Sequence, residues 1–180
     1  MKLIILDRDG VINKDRDDFV KSVEEWEPLP QSIEAIALLT QSGYQIAVAT
    51  NQSGIGRKYF TTHELNQMHR KMHRLVNQQG GRINGVWFCP HKAEDNCLCR
   101  KPKAGMIEDI IERFGANAEE TILVGDSLRD LQAIAQVGGK PFLVNTGKGK
   151  KTLSEGNLPS GTRIFDNLYA VAEHLTEGQI

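Results

Sequence analysis

The feature that most constrains the fold is a recurring unit: a short, wholly apolar run stops at polar residues, and a segment of helical periodicity follows. Leu3-Ile4-Ile5-Leu6 is the first such run, and it ends at Asp7. Runs that are apolar at consecutive rather than alternate positions suit strands buried on both faces of a parallel sheet. Tyr44 to Ala49, Ile83 to Cys89, Thr121 to Val124 and Pro141 to Val144 repeat the pattern, with Arg163 to Phe165 as a last short candidate. Helical stripes lie between them. Ile33, Ile36, Ala37 and Leu39 share a face within Ser32 to Ser42, and Gly43 is a stop signal. Leu65, Met68, Met72, Leu75 and Val76 form a second face behind Thr61-Thr62-His63-Glu64, which has the spacing of a capping box. Met106, Ile107, Ile110, Ile111 and Phe114 form a third, closed by Gly115. Leu128 to Val137 predicts a fourth helix, and Asp166 is the expected N-cap of a last one ending near Leu175.

Strands that alternate with helices predict an open parallel α/β sheet covered on both faces, with its ligand site beyond the strand C-terminal ends. The length of 180 residues fits one domain spanning 1–180. The longest irregular pieces are Asp9 to Pro30, Cys89 to Lys103 and Thr146 to Thr162, where function is expected. A balance of 22 basic and 23 acidic residues gives a formal charge of −1, which excludes the usual footprint of a nucleic-acid binder. No apolar run approaches the roughly 20 residues that a membrane helix needs. The opening MKLIILDRDG is too short and too soon acidic for a signal peptide. A cytoplasmic chain without membrane contact, monomeric by default, is expected.

Three strand ends carry groups with chemistry. The first delivers Asp7-Arg8-Asp9-Gly10, two carboxylates at i and i+2 that can enter one crevice. The second delivers Thr50-Asn51-Gln52-Ser53-Gly54, whose hydroxyl, amide and backbone N–H groups suit a phosphate. The fourth strand ends in Gly125-Asp126-Ser127-Leu128-Arg129-Asp130, where an acid at the strand end and another four residues on suit a cation. Each pattern alone also describes a surface turn or a helix cap. Their arrival at three ends of one sheet singles out a site. The remaining candidates are weaker. His63, His69 and His73 fit a solvated or half-buried helix face, and Trp26 and Trp87 read as packing. Lys148, Lys150 and Lys151 read as solvated loop or as a seat for a second phosphate.

All three cysteines lie within one polar loop, Cys89-Pro90-His91 followed by Cys97-Leu98-Cys99. An odd clustered set argues against disulfides. Cys89, His91, Cys97 and Cys99 supply four soft donors, enough to fill a tetrahedral zinc shell and leave no open position. Zinc held there is therefore structural, replacing the apolar anchors that the loop 89–101 lacks. The alternative is a set of buried free thiols, for which so polar a loop offers little core.

In their order, DRDGVIN, TNQSG, CRKP and GDSLRD resemble the haloacid-dehalogenase superfamily of phosphotransferases. The Cys-x-His…Cys-x-Cys loop ahead of Arg-Lys-Pro is similar to its small, nearly capless branch, which contains heptose-bisphosphate and histidinol-phosphate phosphatases. The resemblance covers residues 1 to about 150, and the missing dehydratase domain favours the heptose side. It implies a three-layer Rossmann-like fold with a minimal cap, a zinc loop, and Mg²⁺-dependent hydrolysis of a sugar phosphate. By position it implies Asp7 as nucleophile, Asp9 as general acid and base, and Asp7, the Asp9 carbonyl and Asp126 around Mg²⁺. Thr50 and Lys101 would stabilise the phosphoryl group. Asn51, Ser53, Arg100 and the stretch Asp15, Arg16, Asp17 and Asp18 match substrate-contacting positions, as does Ser127 less closely. A histidinol-phosphate phosphatase and a silent, zinc-stabilised phosphate-binding module are the alternatives.

Overall fold

The computed structural model describes residues 1–177. Its centre is a six-stranded, all-parallel sheet in the order β3-β2-β1-β4-β5-β6. The strands are β1 Lys2–Leu6, β2 Tyr44–Asn51, β3 Gly85–Cys89, β4 Ile122–Gly125, β5 Lys140–Val144 and β6 Arg163–Phe165. The helices are α1 Ser32–Gln41, α2 Thr62–Gln78, α3 Gly105–Phe114, α4 Leu128–Gln136, α5 Gly149–Glu155 and α6 Leu168–Thr176.

Side-chain alternation along β1 explains the consecutive apolar run. Ile4 and Leu6 pack with residues of α1, α2 and α6 on one face, while Leu3 and Ile5 pack with α3 and α4 on the other. Both faces are dry from Leu3 to Leu6, so after Lys2 no polar residue appears until the chain leaves the sheet at Asp7. The result is three layers, as expected. Chain direction across the sheet reverses at β1: β2 and β3 lie to one side, β4 to β6 to the other. This switch point opens a crevice between the ends of β1 and β4. The pairing of Leu6 with Val124 sets Asp7 and Asp126 beside each other in its floor.

The boundaries differ from the sequence reading at a few places, each for a visible reason. Strand β2 runs on to Asn51 because Thr50 and Asn51 pair with Phe88 and Cys89. Strand β3 starts only at Gly85, since Asn84 is occupied in bonding Ile46 through both its N–H and its side-chain oxygen. The cap of α6 is Asn167, not Asp166: its side chain accepts the Ala170 N–H at 2.8 Å, whereas Asp166 accepts a bond from Asn145. The stretch 146–162 contains the short helix α5, which buries only Gly149 and Thr152 and so shows no apolar stripe. The expected capping box of α2 is present, with Thr61 and Glu64 reciprocally bonded. Trp26 is fully buried, while Trp87 is half-exposed and bonds Asp109. Among the described residues no helix is long and apolar enough to cross a membrane.

Candidate active site

The floor of the crevice is a buried ion triplet. Lys101, 2% exposed, donates to Asp7 Oδ1 at 3.0 Å, to Asp130 Oδ1 at 2.7 Å and to the Ala49 carbonyl at 2.7 Å. Burial pushes its ammonium toward neutrality, but the charges of Asp130 and Asp7 outweigh that and hold it protonated. Asn51 fixes the backbone of the same residue, accepting the Lys101 N–H and donating to its carbonyl, both at 3.0 Å. Asp130 is held in turn by the N–H and hydroxyl of Ser127, at 3.2 and 3.0 Å. Two of the residues expected to touch substrate, Asn51 and Ser127, therefore also orient the charged floor.

Asp7 and Asp126 stand at the ends of neighbouring strands, and with Asp130 they bring carboxylate oxygens within 4.8 Å of one another. Burial, then the charge of Asp130, pushes Asp7 up to about 7 despite Lys101. Burial, then the charges of Asp7 and Asp130, pushes Asp126 up to about 9. A pair of buried acids facing the same space is a poor arrangement on its own and a good one for a hard divalent cation, which takes oxygen ligands. Lys101 and Ser127 occupy Asp130, so Asp7 and Asp126 are the carboxylates that fit Mg²⁺. Glycine is required beside them: at Gly10, φ +88°, a Cβ would overlap the Asp126 carboxylate, and one at Gly147 would do the same.

Asp9 sits a turn further out, with its carboxylate bonded by Arg8, Asn13 and Gln52. Gln52 also donates to the Thr50 hydroxyl at 2.9 Å, tying the first strand end to the second. The pocket is also lined by Ser53, Arg57, Arg100 and Arg129, and by Asp15, Arg16, Asp17, Phe19 and Lys148. Burial, and then the nearby guanidinium of Arg129 and less so that of Arg57, depress the pKa of Arg100. Asp18 does not line the pocket; it clamps Arg16 through two bonds of 2.9 and 3.0 Å and also pairs with Lys21. Lys148 belongs to the acids instead of standing free, since its N–H bonds Asp126 and its ammonium lies 3.6 Å from Asp15.

Next to the floor, the loop after β3 gathers Cys89, His91, Cys97 and Cys99, whose donor atoms all lie within 4.8 Å of one another. Cys89 Sγ is 3.6 Å from Cys97 Sγ, 3.5 Å from His91 Nδ1 and only 2.8 Å from Cys99 Sγ, a pair that a bound ion would hold further apart. Two thiolates on one tetrahedral zinc stand roughly 3.8 Å apart, so the donor set fits that ion. Burial raises the Cys97 thiol, but the Arg100 N–H and the neighbouring sulfurs outweigh it and bring the group down to about 6, toward the ligating form. The cluster ends at Cys99, two residues before Lys101, so a metal there would fix the entry of the lysine strap. Metal analysis is expected to return about one zinc per chain, and Cys97→Ala to lower it at least about twofold. Unchanged zinc in that variant would exclude the four-donor site.

A family model for the haloacid dehalogenase-like hydrolases matches residues 2–138. The chain belongs to that family. Within it, the chain is 69% identical to D-glycero-beta-D-manno-heptose-1,7-bisphosphate 7-phosphatase of Neisseria meningitidis serogroup A, over 98% of this chain and 96% of that one. It is 51% identical to the protein of the same name from Pseudomonas aeruginosa, covering 97% and 98%. The crystal structure of D,D-heptose 1,7-bisphosphate phosphatase from B. bronchiseptica, complexed with magnesium and phosphate, superposes with a TM-score of 0.97 at 54% identity, covering 98% and 99% of the two chains. As a haloacid dehalogenase-like hydrolase of this kind, the chain is a phosphatase.

Within this hydrolase, the sequence reading missed Arg8, Gln52, Arg57, Arg129 and the pairing role of Asp130. Arg57 and Arg129 lie on different segments, and only the fold brings them to Arg100. Asp130 was visible as an acid, but its partner Lys101 is 29 residues away.

Proposed function

We propose that this hydrolase removes the C7 phosphate of D-glycero-β-D-manno-heptose 1,7-bisphosphate and leaves the anomeric phosphate in place. The observation that carries the reading is how charge is divided along the pocket. Lys101 stands against the acids of the floor, and Arg57, Arg100 and Arg129 line the same pocket close together, whereas its other two cations, Arg16 and Lys148, are paired with Asp18 and Asp15. A monophosphate needs only the floor, whereas a bisphosphate needs counter-charge at both ends. The relatives from N. meningitidis and P. aeruginosa carry the β-anomer in their names. The product, a heptose 1-phosphate, suits nucleotide activation for surface polysaccharide.

The geometry is compatible with a part for each group. Asp7 Oδ1 is occupied by Lys101 Nζ and by the Arg8 N–H, so Oδ2 attacks phosphorus and forms an aspartyl-phosphate as the ester P–O bond breaks. Asp9 gives its proton to the departing sugar oxygen, then takes one from the water that cleaves the aspartyl-phosphate and releases inorganic phosphate. Lys101 and the Thr50 hydroxyl face the transferring oxygens, where fixed charge and donors supply most of the acceleration. Asp7, Asp126 and the Asp9 carbonyl would hold Mg²⁺, which offsets the repulsion between carboxylates and phosphate. Asn51, Ser53, Asp15, Arg16 and Asp17 shape the path to the floor.

Phosphate release from both anomers of the 1,7-bisphosphate, from heptose 7-phosphate and from histidinol phosphate tests the reading. The β-bisphosphate is expected to give the highest kcat/KM, at least about tenfold above histidinol phosphate, because charge-assisted bonds to a second phosphate contribute a few kcal/mol. A higher value for histidinol phosphate would reject the substrate and keep the reaction.

A further inference from the structure

Arg8 separates the two aspartates of the first strand end, yet it points away from the pocket and is fully buried. A buried guanidinium needs a counter-ion. Its counter-ion is the Asp9 carboxylate: Nε donates to Oδ1 at 2.9 Å, and Nη2 lies 2.9 Å from the same oxygen. On its far side Nη1 meets His69 Nε2 at 3.2 Å and Met68 Sδ at 3.7 Å, both from α2. Burial, then the charge of Arg8, holds His69 down at about 3, so its ring is neutral and Nε2 accepts. The backbone is pinned as well, because the Arg8 carbonyl accepts the N–H groups of Val11, Ile12 and Asn13 in the turn that carries Asp9. None of this is needed to fill space, since methionine or leucine would pack there without a charge to neutralise.

The consequence is an asymmetry between the two oxygens of Asp9. Oδ1 takes Arg8 and Asn13, whereas Oδ2 takes a single longer bond of 3.2 Å from Gln52. We propose that Arg8, braced from behind by His69, is a positioning residue that locks Asp9 Oδ1 and thereby presents Oδ2 as the oxygen that carries the proton. The inference rests on the phosphatase reading above. In the first step the Asp7 Oδ2–P bond forms, the P–O bond to the sugar breaks, and the electron pair left on the sugar oxygen takes the proton from Asp9 Oδ2. In the second step water attacks phosphorus, the Asp7 Oδ2–P bond breaks to release inorganic phosphate, and a new proton passes from that water to the same Asp9 oxygen. Arg8 touches no substrate atom in either.

Leaving-group dependence separates this role from a merely structural one. A sugar alkoxide must be protonated as it leaves, whereas p-nitrophenolate leaves without a proton. kcat/KM reports the first step alone. Arg8→Met is expected to cut kcat/KM for the heptose bisphosphate about 100-fold, within the range of general acid catalysis. For p-nitrophenyl phosphate the cut is expected to stay within about threefold. Arg8→Lys keeps the buried charge but cannot bond Asp9 and His69 together, and should recover part of the loss on the sugar substrate. His69→Leu removes the brace from outside the pocket and should show the same split at smaller size, which keeps the test alive if Arg8→Met does not fold. Equal losses on both substrates, or none on either, would overturn the positioning role. A wild-type chain that hydrolyses p-nitrophenyl phosphate but no sugar phosphate would instead overturn the function, and the two failures are distinguishable.

Discussion

Asp7→Asn is expected to lose at least about 10⁴-fold in kcat while folding at least as well as the wild type. The magnitude is that of removing a nucleophile from a covalent mechanism. An amide has no oxygen basic enough to attack phosphorus, and the neighbouring groups do not replace it. Asp126 is turned toward the Lys148 N–H, and Asp130 is spent on Lys101 and Ser127. The stability half of the prediction follows from the same geometry. Asp7 is one of three acids in a buried cluster, and Asn has its shape without its charge. Lys101 keeps Asp130 at 2.7 Å and the Ala49 carbonyl at 2.7 Å, so no buried cation is orphaned. The contrast with Asp130→Asn is instructive, because there Lys101 loses its shorter carboxylate contact and breaking a buried pair costs about 3–5 kcal/mol. Steady-state phosphate release and thermal unfolding of Asp7→Asn check both halves. Turnover within a factor of about ten of wild type would refute covalent catalysis by Asp7.

How much of this was legible in the chain depends on how far each interaction reaches. The strands were readable because β1 packs on both faces, so burial is written at every position from Leu3 to Leu6. The place of the first acid is readable for the same reason: after Leu3 the dry strand can take a charge only where it leaves the sheet. Helix α5 was not readable, since GKKTLSE buries a glycine and a threonine and shows no apolar period. Asp166 and Asn167 are equally good caps in sequence, and only the Ala170 N–H chooses between them.

Within the site, contacts inside a motif were visible and contacts between motifs were not. The pair Asp7 and Asp9 declares itself by spacing, as do the four zinc-type donors within eleven residues. Arg8, lying between two acids, looks solvated in sequence, and nothing local reveals that its partner beyond Asp9 is a histidine 61 positions on. In sequence His69 looks no different from His63 and His73, whereas in the fold it is buried. The stretch Asp15 to Asp18 divides for a reason of geometry: Asp15, Arg16 and Asp17 reach the pocket, while Asp18 turns outward to clamp Arg16. Lys148 was a candidate for a second phosphate, and its ammonium instead faces Asp15 beside the acid cluster.

With zinc retained and magnesium withheld, the protein is expected to lose stability steadily as pH rises from near 4 to near 9, and magnesium is expected to restore it most at the alkaline end. Both cluster acids have pKa values in the folded chain, about 7 for Asp7 and about 9 for Asp126, above their ordinary 3.8. For a group raised in this way, the folded state binds the proton more tightly than the unfolded one. Its contribution is fully present below 3.8 and is lost as pH climbs through the folded value. Ionising both acids in a buried space then sets one carboxylate against the other. A divalent cation reverses the balance because it binds the ionised pair and stabilises the folded state by mass action. For a chain of this size about 1 kcal/mol moves Tm by roughly 2–4 °C, and a fall of at least about 5 °C across the window is expected without magnesium. Saturating magnesium should raise Tm more at pH near 8 than at pH near 5. Asp126→Asn should flatten the slope and weaken the magnesium response together, because Asp126 contributes to the slope and is one of the two carboxylates that would hold the ion. A magnesium-induced shift of equal size at the two pH values would refute the assignment of Asp7 and Asp126 as the metal-binding pair.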